Sequence, residues 1–128
     1  MIREKALELT RFLRQKDWVG QIKTLHSFVQ NNIRYTRDIH GVETLHTAQK
    51  ILEQGQGDCD DKSILLAALL GSIGHPTRFR AVGFHPGKLS HVFVETKIGN
   101  KWQPLETTEP VSIGWKPRKV AENMIVYN

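Results

Sequence analysis

The run Ile64-Leu65-Leu66-Ala67-Ala68-Leu69-Leu70 is apolar at every position. A helix apolar on all sides cannot lie on a surface, so other elements must surround it and it becomes the centre of a core. Its start is marked by Asp58, a good N-cap, with Asp61 three residues on as an acidic variant of the capping box. Gly74 closes the helix, and Pro76 prevents its resumption. The approach Gly55-Gln56-Gly57 is glycine-rich, and Cys59, the only cysteine, falls at the first helical position. A lone thiol at the mouth of a buried helix is an unusual place for sulfur unless it is used.

Three shorter helices are expected before it. Ile2, Ala6, Leu9 and Leu13 recur at helical spacing with charges between them. Asp17 can cap a second helix carrying Trp18, Ile22, Leu25, Val29 and Ile33 inward, with Asn31-Asn32 at its end. Residues 34–43 show little periodicity and read as a loop. Thr44 can cap a third helix, with Leu45, Ala48, Ile51 and Leu52 inward, and Gly55 stops it.

After Pro76 the period changes to two. Residues 77–84 read as a strand with Phe79 and Ala81 on one face and Arg78 and Arg80 on the other. His85-Pro86-Gly87-Lys88 is a loop, and residues 91–98 form a second strand. Gly99-Asn100 is a hairpin signal returning residues 101–106 antiparallel. Residues 107–119 look irregular, and residues 124–127 could add a last strand. Helices first and sheet second predict an α+β domain, with the helices packed on an antiparallel sheet. A length of 128 residues suits one domain spanning 1–128.

The hairpin fixes a register. With Gly99-Asn100 as the loop, Ile98 faces Lys101, Glu95 faces Pro104 and Phe93 faces Glu106. Opposed residues share a face, as do alternate residues along a strand. Glu106 therefore falls diagonally from His91 on one face. Pro104 threatens this, since a bulge there would turn Glu106 away.

A cysteine nucleophile acts as the thiolate, which a helix N-terminus and an adjacent imidazolium both favour. The exposed N–H groups of the same turn can later hold an oxyanion. The base should be a histidine oriented by an acceptor on its other nitrogen. His91 with Glu106 fits that need. Gln56 could add a side-chain donor to the oxyanion. Glu95 shares the His91 face and is expected to be solvated or structural. His85 is the second candidate base. His26, His40, His46 and His75 have no acidic partner that the sequence can place. Trp102 suits packing, and Trp115 could line a cleft.

The plainer readings are that Cys59 is a small buried hydrophobe, His91 a surface strand residue and Glu106 a solvated strand end. Asp58, Asp60 and Asp61 most simply cap the helix and suit its dipole, although with His91 they could ligate a metal. One cysteine and no paired-histidine motif speak against zinc. No metal or cofactor is expected.

The net charge of +5 comes from scattered basic residues and most simply keeps the surface solvated. An acidic partner such as nucleic acid is the sharper reading, but no nucleic-acid motif is present. No apolar run approaches a bilayer span, the start Met1-Ile2-Arg3-Glu4-Lys5 lacks a signal-peptide apolar region, and one cysteine excludes an intramolecular disulfide, so a cytoplasmic location with no membrane partner is expected, with export or association with a particle left open.

These motifs together carry a resemblance. Gly57-Asp58-Cys59-Asp60-Asp61 before an apolar helix, then Gly74-His75-Pro76-Thr77-Arg78 entering a strand, is similar to the core of the transglutaminase-like superfamily. His91-Val92-Phe93-Val94-Glu95 and Trp102-Gln103-Pro104-Leu105-Glu106-Thr107-Thr108 resemble its histidine and acid motifs, in the family's order. Gly-Asp-Cys-Asp-Asp most resembles the bacterial transglutaminase-like cysteine peptidases. The resemblance covers about residues 44–108. It implies a papain-like core, Cys59 as nucleophile, His91 as general base and acid, and Glu106 as the residue orienting His91. The family usually has aspartate there, one methylene shorter. The implied chemistry is metal-free acyl transfer on amides or thioesters. Peptidase, transglutaminase, deamidase and a non-catalytic binding module all stay open. A peptide or protein substrate is expected, with a larger assembly or partner chain supplying part of its recognition.

Overall fold

The computed structural model describes residues 1–36 and 47–127. Four helices precede the main sheet: α1 (Ile2–Leu9), α2 (Trp18–Asn32), α3 (Ala48–Gln54) and α4 (Cys59–Ser72). Two short strands, β1 (Arg34–Tyr35) and β2 (Gln56–Gly57), pair in parallel. The main sheet contains β3 (Thr77–Gly83), β4 (His91–Ile98), β5 (Lys101–Leu105) and β6 (Glu122–Tyr127), ordered β5-β4-β3-β6 with every pairing antiparallel. This is the expected α+β arrangement of helices first and sheet second.

Helix α4 is the hub. Helices α1, α2 and α3 each pack on it, as do β3 and β4. Leu65, Leu66, Leu69 and Leu70 have no exposed surface and join Leu25, Val29, Ile51, Val94 and Leu105 in one core. Burying each such side chain contributes roughly 1.5–3 kcal/mol against conformational entropy. The helix begins with a complete capping box: the Asp58 carboxylate accepts from Asp61 N–H, and the Asp61 carboxylate accepts from Asp58 N–H. At the other end Gly74 takes φ +95°. That left-handed turn lets His75 N–H return to the Leu70 carbonyl.

The hairpin register is as the turn signal predicts. Ile98 pairs with Lys101, Glu95 with Pro104 and Val94 with Leu105, and Gly99 takes φ +62°. Pro104 introduces no slip. Strand β6 pairs with β3 rather than with the hairpin edge, so the irregular segment before it must cross the sheet.

Several expectations change. Helix α1 ends at Leu9, short of Leu13, with Thr10 as its C-cap. Trp18 is 55% exposed rather than inward, since the first turn of α2 projects beyond the core. The cap of α3 is Thr47, whose hydroxyl accepts from Lys50 N–H. Thr44 and Leu45 lie outside the described residues, as does most of the expected loop at 34–43. The part of that loop that is described contains β1, whose two residues are too few to show a period. Among the described residues, no helix is long and apolar enough to cross a membrane.

Candidate active site

The N-terminus of α4 lies against the start of β4, where Ser63 Oγ donates to the Val92 carbonyl at 3.3 Å. The capping box consumes the Asp61 N–H, and the first helical bond takes the Lys62 N–H to Asp58. Cys59, half-buried at the first helical position, stands at the positive end of the helix.

His91 opens β4 and lies between two of the sequence-predicted residues. Its Nε2 is 2.6 Å from Glu106 Oε2. The Cys59 side chain acts on the same ring and favours its charged form. With Nε2 taken by the carboxylate, Nδ1 is the ring nitrogen left for sulfur. Burial works against a charged ring here. Cys59 and Glu106 together outweigh it, and the His91 pKa is pushed up to about 10.

Glu106 sits immediately beyond β5 and is only 1% exposed. Its Oε1 accepts from Thr108 N–H at 2.9 Å, so both carboxylate oxygens are engaged. Its backbone is held as firmly. The Glu106 carbonyl accepts from His26 Nε2 at 2.6 Å and from Gln30 Nε2 at 3.0 Å, both on α2. Gln30 also reaches the carbonyls of Glu109 and Val111, tying the chain after β5 to that helix. Burial pulls the His26 pKa down, which favours the neutral ring that donates to a carbonyl. The sequence reading missed His26 and Gln30, because their partners lie 80 and 76 residues away and their bonds are to backbone.

The remaining candidates take other roles. Glu95 shares the His91 face but is buried and structural, not solvated: Arg78 Nε donates to it at 2.7 Å, and Arg80 also bonds to it. Arg78 in turn lies 4.3 Å over the Trp102 ring, which accounts for that tryptophan as packing. Gln56 is exposed on β2, and among the described residues no hydrogen bond joins its amide to Cys59. His85 is exposed in the loop after β3, and His75 bonds to Gln21. A cavity of about 240 Å³ beside Phe93 is lined by Lys116, Pro117 and Val120, but not by Trp115. Among the described residues, no group of three His, Cys, Asp or Glu side chains could hold a metal ion.

A thiol at a helix N-terminus facing a histidine–carboxylate pair on a sheet defines a papain-like arrangement. The family model of the transglutaminase-like superfamily matches residues 5–107, and the chain belongs to that superfamily. No curated protein matches the sequence. Among solved structures, a candidate cysteine protease from Cytophaga hutchinsonii aligns with a TM-score of 0.69 at 18% identity, covering 99% of this chain and 46% of that one. Legionella pneumophila LapG aligns with a TM-score of 0.65 at 19% identity, covering 82% of this chain and 62% of that one. A structure described as a TGase aligns with a TM-score of 0.66 at 16% identity, covering 94% of this chain and 34% of that one. At these identities the likeness is one of fold. The chain spans less than two thirds of each of these neighbours.

Proposed function

We propose that this domain is a cysteine-dependent acyl-transfer enzyme that hydrolyses peptide or isopeptide amide bonds. The observation that supports it best is His91, bonded to the buried Glu106 carboxylate and held in its charged form by Glu106 and Cys59 together. A histidine with raised proton affinity beside a cysteine suits an imidazolium–thiolate pair.

The thiolate sulfur attacks the amide carbonyl carbon, and the resulting oxyanion is held by Cys59 N–H at the start of α4. The tetrahedral intermediate collapses, the C–N bond breaks, and the leaving amine takes its proton from His91. A thioester remains on Cys59. Water then attacks it while His91 accepts a proton, the C–S bond breaks, and a carboxylic acid leaves. Glu106 keeps the ring oriented through both steps. An amine in place of water would give transamidation by the same route. Membership of the superfamily is compatible with either outcome.

Alkylation of Cys59 by iodoacetamide as a function of pH tests the mechanism. The expected profile shows a reactive thiol well below the range of a free cysteine, and His91→Ala moves it to the free-thiol range. A free-thiol profile in the unaltered protein, unchanged by His91→Ala, would sink the reading. Turnover of peptide and isopeptide libraries by the unaltered protein, lost in Cys59→Ala, then identifies the bond cleaved.

A further inference from the structure

Helix α4 turns Asp60, Ser63 and Ile64 to one side, at spacings of three and four that make helical side chains neighbours. Cys59 stands four residues before Ser63, so its thiol lies at the N-terminal end of the same side. The sheet faces it. Phe79 pairs with Val94 on β4 and with Val126 on β6, and Ala81 pairs with Val92 and Met124. Paired residues share a face, and Val94 belongs to the core, so this is the face that α4 covers. The cover stops short of the edge. Helix α4 packs on β3 and β4, whereas on β6 Val126 is 44% exposed and Met124 49% exposed.

The uncovered step between helix and edge strand is an open cavity of about 230 Å³. Ser63 and Ile64 wall it from α4, and Phe79, Val92 and Val126 wall it from the sheet. Ser63 donates its hydroxyl proton to the Val92 carbonyl, so the cavity meets almost only hydrocarbon. Asp60, exposed, is the one charged residue of the lining among the described residues. Two of the lining residues adjoin the site in sequence: Asp60 follows Cys59, and Val92 follows His91. A dry cavity of about 150 Å³ already holds a benzene ring. This one therefore has room for a single large side chain, and not for a helix or a second domain. Its apolar walls favour a hydrocarbon group, and the Asp60 carboxylate disfavours an acidic one.

We infer that this cavity is a specificity pocket of the site at Cys59, taking a branched aliphatic or aromatic side chain of the substrate close to the bond that is attacked. Its role in choosing a substrate rests on the function proposed above. Its preference for an apolar group held beside the thiol does not, and the two are separable by experiment.

Alkylation of Cys59 by iodoacetamides carrying N-benzyl, N-isobutyl or N-carboxymethyl groups tests the pocket. Each rate is divided by that of the same reagent with free cysteine. The benzyl and isobutyl reagents should gain about tenfold over the carboxymethyl reagent through partial burial of the apolar group. Val126→Gln, at a position exposed enough to tolerate it, should remove most of that gain. Met124→Gln lies on the same face but outside the cavity and should leave it unchanged. Equal ratios for the three reagents in the unaltered protein overturn the inference. So does a gain that survives Val126→Gln, or one lost equally in Met124→Gln. A free-thiol pH profile with the apolar gain retained would defeat the proposed enzyme and leave the pocket. A thiol reactive well below the free range, with equal ratios, would defeat the pocket and leave the enzyme.

Discussion

His91 sits where its two ring nitrogens can serve two different groups, and its substitution should show this. His91→Ala should lower amide turnover by about 10²–10⁴-fold, the range in which a positioned acid–base contributes. Glu106→Gln keeps the shape but presents a neutral amide to Nε2, and the turnover loss should appear in kcat more than in KM. Glu106→Asp is the sharper measurement. It withdraws the carboxylate by about one carbon–carbon bond, ~1.5 Å, from a contact of 2.6 Å. Because α2 pins the Glu106 carbonyl, the backbone cannot simply follow. The aspartate variant should therefore lose activity, although the superfamily usually has aspartate at the matching position. Full activity in Glu106→Asp would show that the segment after β5 is less firmly held than its hydrogen bonds indicate. The three residues were legible because a hairpin register and a helix cap are local facts that project side chains predictably. His26 and Gln30 were not, because both act on a backbone carbonyl far along the chain.

At the scale of elements, the site depends on how α4 starts. The capping box fixes the first turn, and Gly57 makes room for it. A Cβ at Gly57 would lie 2.5 Å from Asp61 Cβ. Gly57→Ala should therefore displace Asp61, open the box and slow Cys59 alkylation, even though it touches neither Cys59 nor His91. Asp58→Ala removes one half of the box and should cost about 1 kcal/mol of stability, measured by urea unfolding. If Gly57→Ala leaves both stability and alkylation unchanged, the first turn does not depend on the box. Element boundaries show why local reading succeeds unevenly. Asp58 is the one strong cap candidate ahead of the apolar run, and it caps α4. Ahead of α3 two threonines stand three residues apart, and only the position of Lys50 N–H relative to Thr47 decides between them. Trp18 fits the apolar stripe of α2 yet projects beyond the core, since periodicity gives the direction of a face and not where the neighbouring layer ends. The sheet order likewise depends on β6 crossing to β3, a long-range choice with no local signal.

Across the whole molecule, three histidines make stability depend on pH in opposite directions. The His91 pKa is raised from 6.5 to about 10 on folding. Folded protein therefore holds that proton more tightly than unfolded chain does. Its contribution is complete below pH 6.5 and is lost progressively as pH rises toward 10. His26 and His75 are lowered from 6.5, in both cases first by burial. For them the unfolded chain binds the proton better, so stability falls as pH drops below 6.5. The thermal midpoint should consequently peak near neutrality and decline on both sides. His91→Gln should flatten the alkaline limb and leave the acidic one, because the donors on α2 and at His75 are untouched. The two limbs also report on different joints. The alkaline limb follows the contact between the start of α4 and the sheet, where the thiol and carboxylate meet the ring. The acidic limb follows α2, where burial disfavours a charge on His26. A midpoint that stays level from pH 7 to 10, or an alkaline decline that persists in His91→Gln, would mean that the His91 proton is not held by folding. The proposed ion pair would then lose its physical basis.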